Sequence, residues 1–168
     1  MNVEECISKR KSIRTYKPEK ISQELLEKIL QAGILSPSAK NQQPWKYIVV
    51  SEEIKNQIAE ELTKNIGHPN PTSRAISECS HLILVYNTQE EYFSHMSIGA
   101  SIENMLLTAT SYGLGSLWIG YIRKITDYVN SLTNEENELI SAIALGYPNE
   151  EPPARPRKDF SEVVSYLK

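Results

Sequence analysis

Apolar and polar positions along the chain change their period several times, and each change marks an element. Residues 3 to 9 read as a short amphipathic helix. Ser22 can cap a longer one, in which Leu25, Leu26, Ile29 and Leu30 form an apolar stripe that ends near Leu35. Trp45 to Val50 is rich in aromatic and β-branched residues and reads as a strand, and Ser51-Glu52-Glu53 opens the next helix with acidic residues at the positive end of its dipole. Residues 65 to 72 carry the least pattern and precede an apolar strand from His81 to Tyr86.

From about Glu91 to Tyr112 the spacing predicts a long helix. Met96, Ile98, Ala100, Ile102, Met105, Leu106, Leu107 and Ala109 cover nearly every direction around its axis, which predicts burial on all sides. Two coverings are open: a core helix inside one chain, or a helix whose remaining face meets a second copy. Gly113-Leu114-Gly115 follows a helix and precedes a β-like run, the reverse of a dinucleotide fingerprint, so these glycines terminate the helix. The run Leu117 to Ile122 reads as a strand with Gly120 inside it, where a flat ligand could lie against bare backbone. Thr126 to Leu139 reads as a polar helical connection and Ile140 to Tyr147 as a last core strand. Pro148 to Pro156 holds four prolines and must run extended over a surface. Val163 to Leu167 then reads as a strand, one that such an arm could deliver to another subunit's sheet.

Length and charge narrow the function. At 168 residues and 19.1 kDa the expectation is one domain over 1–168. A net charge of -3 and a pI near 5.7 argue against nucleic-acid binding, and apolar runs such as Ile83-Leu84-Val85-Tyr86 are far too short for a membrane span. Glu4 and Glu5 stand where a signal peptide would need an apolar core, so the expected location is cytoplasmic. Cys6 and Cys79 are expected as free thiols, and His68, His81 and His95 lack metal-ligand spacing.

The positive charge is local. Arg10-Lys11-Ser12-Ile13-Arg14 places three cations and a hydroxyl in five residues, a composition suited to phosphate. If extended, it puts Arg10, Ser12 and Arg14 on one face and leaves Ile13 to anchor the other. A solvated basic turn is the plainer reading of the same residues. The polar loop Ser36 to Pro44, bounded by prolines, presents backbone and amide groups, either to a ligand or simply as a connection.

Together these stretches resemble the FMN-dependent nitroreductase family along nearly the whole chain. Arg10-Lys11-Ser12-Ile13-Arg14 is similar to the family's opening clamp, with lysine at the second position. Ser36-Pro37-Ser38-Ala39-Lys40-Asn41-Gln42-Gln43-Pro44-Trp45 resembles its Pro-Ser-x-x-Asn-x-Gln-Pro-Trp loop, and Gly99 to Gly120 its central helix and the strand beneath the flavin. Arg155-Pro156-Arg157-Lys158 resembles its C-terminal phosphate contact.

The resemblance implies an α+β fold with a mostly antiparallel sheet flanked by helices. It also implies an intertwined homodimer with the C-terminal strand added to the partner's sheet and FMN at the interface. Arg10, Lys11, Ser12, Arg155 and Arg157 would hold phosphate and ribityl chain, and Arg14 would stabilise negative charge at the N1 and O2 edge of the ring. Pro37, Ser38, Ala39 and Asn41 would come from the partner. Trp118, Ile119 and Gly120 would line the ring face away from substrate, with a backbone N–H near N5. The implied activity is transfer of a hydride from NADH or NADPH through FMN to a small acceptor by a ping-pong route, with Arg14 and Gly120 at the reacting ring. A non-catalytic flavin carrier of the same fold is the competing class, and Arg74 is either an ordinary helix-surface arginine or a contact to the acceptor or the nicotinamide's phosphates.

Overall fold

The computed structural model describes residues 1 to 167. Helix α1 is Val3–Lys9, opened by a capping box in which Asn2 accepts from the Glu5 N–H at 2.9 Å and Glu5 accepts from the Asn2 N–H at 3.1 Å. Helix α2, Gln23–Ile34, starts at Ser22, whose hydroxyl oxygen accepts from Leu25 N–H. Strand β1 is Trp45–Val49, and α3 is Glu52–Ile66, capped by Ser51.

A helix that periodicity missed follows. Asn70 accepts from the N–H groups of Thr72 and Ser73 and Pro71 takes the first turn, so Pro71–Glu78 forms α4 and the irregular stretch shrinks to a few residues. Arg74 is exposed on that helix. Next come β2, His81–Asn87; α5, Ser94–Ser111; and β3, Gly115–Ile119. Helix α6, Thr126–Thr133, then leads into β4, Glu138–Gly146, which begins two residues earlier than the pattern indicated.

The strands lie in the order β1-β2-β4-β3, and every pair is antiparallel. Alternation divides their side chains. Leu82, Leu84, Tyr86, Leu117, Ala142 and Ala144 pack toward α3, α4 and α6, while Ile83, Val85, Ile143 and Leu145 pack toward α2 and α5. This is the expected α+β layering. Among the described residues no helix is long and apolar enough to cross a membrane, no group of metal-ligating side chains occurs, and Cys6 and Cys79 are free and buried.

Three expectations are corrected. Strand β3 stops at Ile119, so Gly120 lies outside it and opens a 3₁₀ helix, Gly120–Ile125. Ile119, Ile122 and Ile125 recur every third residue and all point into the core, a period a 3₁₀ turn satisfies and a strand does not. Helix α5 is buried on one side only: Ile98, Ile102, Met105 and Ala109 are inaccessible, whereas Met96 is 70% exposed. Last, no strand forms over Val163 to Leu167 in the chain itself. Phe160–Val163 makes the single turn α7, and Val164 is extended (φ -123°, ψ 129°) without a ladder partner in its own chain among the described residues.

Candidate functional site

The basic segment is built into the sheet by its apolar residues. Ser12 bridges Ser116 of β3 in parallel sense, and Ile13 N–H donates to the Ser116 carbonyl at 2.9 Å. Tyr16 then bridges Pro148 just beyond β4, and Lys17 N–H donates to the Tyr147 carbonyl at 2.9 Å. Gly115 and Gly146 face each other across β3 and β4, and their missing side chains make the room. A Cβ on Gly115 would lie 2.9 Å from Cγ1 of Ile13. The Tyr16 hydroxyl donates to the Ile13 carbonyl at 2.8 Å, and burial pushes its pKa well above the ordinary value, with Cys79 and Glu150 adding to the rise. It therefore stays a donor.

Ile13 and Tyr16 are sunk in the core, and the polar side chains around them are left partly exposed. Arg10, Lys11, Ser12, Arg14, Arg155 and Arg157 line one cleft of about 440 Å³, with Ile7 and Ser8 at its edge and Pro152, Pro153 and Ala154 closing it. Arg10 and Arg155, 145 positions apart in sequence, are brought together by the fold. Arg14 Nη1 donates to the Ser12 carbonyl at 3.2 Å, which holds its guanidinium along the same wall. Nε of Arg10 lies 3.7 Å from Oε1 of Glu103, and Lys11 Nζ lies 3.9 Å from Oε1 of Glu151. Both contacts exceed hydrogen-bond length, so the cations keep donors free for a ligand. Five cations and a hydroxyl converging on a cleft of this volume fit a phosphomonoester.

The remaining implied contacts, Trp118 to Gly120, lie at the far end of β3 and just past it, on the strand that Ser12 bridges at Ser116, and none of them lines the cleft itself. Trp118 is 42% exposed, Ile119 is buried in the core, and Gly120 is open to solvent. A Cβ on Gly120 would meet nothing within 4 Å, and its φ lies outside the left-handed region, so nothing in the chain's own packing requires glycine there. Open backbone at the end of a strand that the basic segment bridges suits a flat ring carrying a phosphate tail.

The loop at 36 to 44 is not brought to this cleft within the chain. Ser36, Pro37, Ser38, Ala39 and Asn41 sit on the opposite flank of α5: Asn104 donates to the Ser36 hydroxyl at 2.7 Å and Ala39 N–H donates to the Ser97 hydroxyl at 3.4 Å. Glu103 and Gly99, which face Arg10 and Trp118, lie roughly 200–240° around the helix from Ser97, at about 100° per residue. The loop is held in an unusual backbone. Lys40, Asn41 and Gln43 all have positive φ (51°, 55° and 49°), and the Ser38 hydroxyl accepts from Gln43 N–H at 3.0 Å. Three such non-glycine residues in one exposed loop are costly, and strain of this kind clusters at ligand clamps and active sites.

The chain matches the model of the nitroreductase family over residues 7–147. A protein of Archaeoglobus fulgidus provisionally named NADH dehydrogenase/NAD(P)H nitroreductase is 38% identical over 168 aligned residues, covering 95% of this chain and 91% of its own. This chain belongs to the nitroreductase family. The NADPH-flavin oxidoreductase of Vibrio harveyi is 26% identical, covering 97% of this chain and 72% of its own. Among solved structures, a provisional nitroreductase of Desulfovibrio desulfuricans crystallised with FMN superposes with a TM-score of 0.85 at 26% identity, over 100% of this chain and 98% of that one.

The stretch matched to the nitroreductase family contains Arg10 to Gly120 but ends before Arg155 and Arg157. Glu150 was not foreseen. Its carboxylate accepts from the backbone N–H of Arg14, in a very short contact, and of Thr15 at 3.2 Å, and so ties the proline-rich arm to the basic segment. The signal available was a carboxylate in the arm just after β4, which spacing alone does not connect to residues 14 and 15.

Proposed function

We propose that this protein is an FMN-dependent oxidoreductase that takes hydride from NADH or NADPH and reduces a small acceptor such as a quinone or a nitroaromatic. The observation that carries the proposal is the convergence of Arg10, Lys11, Ser12, Arg14, Arg155 and Arg157 on one cleft, with open backbone at Gly120 just past the end of the strand that Ser12 bridges at Ser116. FMN supplies the redox chemistry when bound, and a single flavin site with no separate dinucleotide fingerprint favours two successive half-reactions, donor first and acceptor second.

The chain's own residues have distinct tasks in this reading. Arg10, Lys11, Ser12, Arg155 and Arg157 bind the phosphate and the chain beside it. Arg14, held by its bond to the Ser12 carbonyl, stabilises negative charge that develops on the ring edge. Trp118 and Gly120 close one face, so donor and acceptor use the other in turn.

The site is completed by a second copy in a homodimer of one-domain chains. Two features support this: the exposed apolar side chains Val3, Ile7, Leu35 and Met96 surround α5, and Phe160, Val163, Tyr166 and Leu167 at the end of the arm are largely uncovered. The partner's 36 to 44 loop would then reach the cleft that this chain's own loop does not.

The visible spectrum of the purified protein, followed by anaerobic addition of NADH or NADPH, tests the proposal. A yellow protein that bleaches supports it. A protein that takes up FMN without bleaching is a flavin carrier, and one that cannot take up FMN overturns the reading altogether. Light scattering should give about twice the 19.1 kDa chain mass, and a stable monomer at micromolar concentration would remove the dimer.

A further inference from the structure

Glu103, on α5, touches one half of the proposed flavin site, Arg10 of the basic cleft, without itself lining that cleft. Its Oε1 faces Nε of Arg10 at 3.7 Å, and its side chain is 45% exposed. One turn toward the N-terminus of α5, on the same stripe, Gly99 faces the other half: a Cβ there would lie 3.8 Å from Cη2 of Trp118. Positions four apart on a helix are separated by about 6 Å along the axis, which is the scale of the short polyol chain that joins phosphate to ring.

The donor and acceptor inventory of the cleft is unbalanced. Arginine and lysine side chains are donors only, and the Ser12 carbonyl already accepts from Arg14 Nη1. Such a lining suits phosphate oxygens and leaves the hydroxyl protons of a polyol without charged acceptors. An ionised carboxylate is the reverse, an acceptor with about four lone-pair sites on two oxygens. Arg10 approaches Glu103 through Oε1 alone, at more than hydrogen-bond length, and no protein donor bonds the Glu103 carboxylate among the described residues. The other carboxylates near the basic segment are differently placed: Glu150 is taken up by the backbone of Arg14 and Thr15, and Glu151 lies against Lys11 on the arm.

Resting on the flavin reading above, we infer that Glu103 is a specificity-determining residue that accepts hydrogen bonds from the ribityl hydroxyls, making the site selective for flavins that carry a polyol chain. Its contact with Arg10 is secondary, because Nε leaves the two Nη groups of that guanidinium free for phosphate.

Fluorescence titration of the apoprotein with FMN, riboflavin and lumiflavin, which lacks the ribityl chain, separates the possibilities. Glu103→Ala should weaken FMN and riboflavin alike by about 10-fold, the lower range for hydrogen bonds to a charged group, and leave lumiflavin within about twofold. Glu103→Gln, which keeps a carbonyl acceptor, should recover most of the riboflavin loss. Loss of FMN affinity alone would mean that Glu103 only orients Arg10, and equal loss for all three flavins would mean that it holds the helix. No loss for any would mean no contact, so each of these results overturns the inference while the flavin reading stands. A wild-type protein that binds none of the three overturns both.

Discussion

Tyr16 packs against the bare α-carbon of Gly146, where a Cβ would lie 2.6 Å from its Cδ1. The clamp depends on this contact, because Tyr16 anchors one end of the segment whose other residues line the cleft. Gly146→Ala should force the ring outward and destabilise the protein by about 1 to 3 kcal/mol, the usual cost of overpacking a tight core. Urea unfolding should show the loss, and an FMN titration should show weaker binding as the segment shifts.

Gly120 makes the opposite case. A methyl group there meets open space, so Gly120→Ala should leave the unfolding midpoint within experimental scatter. If the flavin ring lies on that backbone, FMN affinity should still fall. Unchanged affinity would place the ring elsewhere.

Arg157 sits on the exposed arm, and its one intrachain hydrogen bond among the described residues is a 3.5 Å contact to the adjacent Pro156 carbonyl. Arg157→Ala should therefore leave the fold intact and weaken FMN by roughly 10- to 150-fold, from the ~1.5 to 3 kcal/mol of a charged hydrogen bond. Riboflavin, without the phosphate, should bind nearly as before. Equal losses for both flavins would give Arg157 a structural role instead.

Double-reciprocal plots at several acceptor concentrations should give parallel lines, the pattern of two half-reactions sharing one site. Arg14→Ala should slow the anaerobic bleaching by NADH by up to ~10²- to 10³-fold, the effect of deleting one preorganised stabilising donor. Intersecting lines would indicate a ternary complex, and unchanged bleaching would reduce Arg14 to a binding contact.

Glu135 provides a pH test away from the site. Its carboxyl accepts from Lys46 and from Asn137, and the Lys46 hydrogen bond, the largest cause, holds its pKa down at about 2 against an ordinary 4.5 despite the opposing effect of burial. Because the folded value is the lower one, folding favours the ionised form. That contribution is complete above pH 4.5 and is lost as the pH falls toward 2. Glu135→Gln should lower stability at neutral pH by about 1 to 3 kcal/mol and flatten the acid limb in that window. An unchanged limb would show that Lys46 and Glu135 do not interact in solution.

Local signals were readable from the chain alone. Ser22 and Ser51 as caps, Gly113 as a helix stop and the strand from His81 onward depend on neighbours within a few residues, and each is where the pattern put it. The resemblance in Arg10 to Arg14 and in Ser36 to Trp45 was likewise legible, because a ligand's contacts constrain short runs of residues. Other features required the fold. Asn70 and Pro71 carry a helix start, yet the apolar period over Pro71–Glu78 is too short to announce one. The turn at Gly120 depends on Ile122 and Ile125 finding a core to enter, and the outward aim of the clamp depends on Gly115 and Gly146 standing opposite each other. That Arg10 and Arg157 face one cleft, with Glu103 at its border, is decided by long-range packing, in which residues far apart in sequence share a surface only after the sheet has closed.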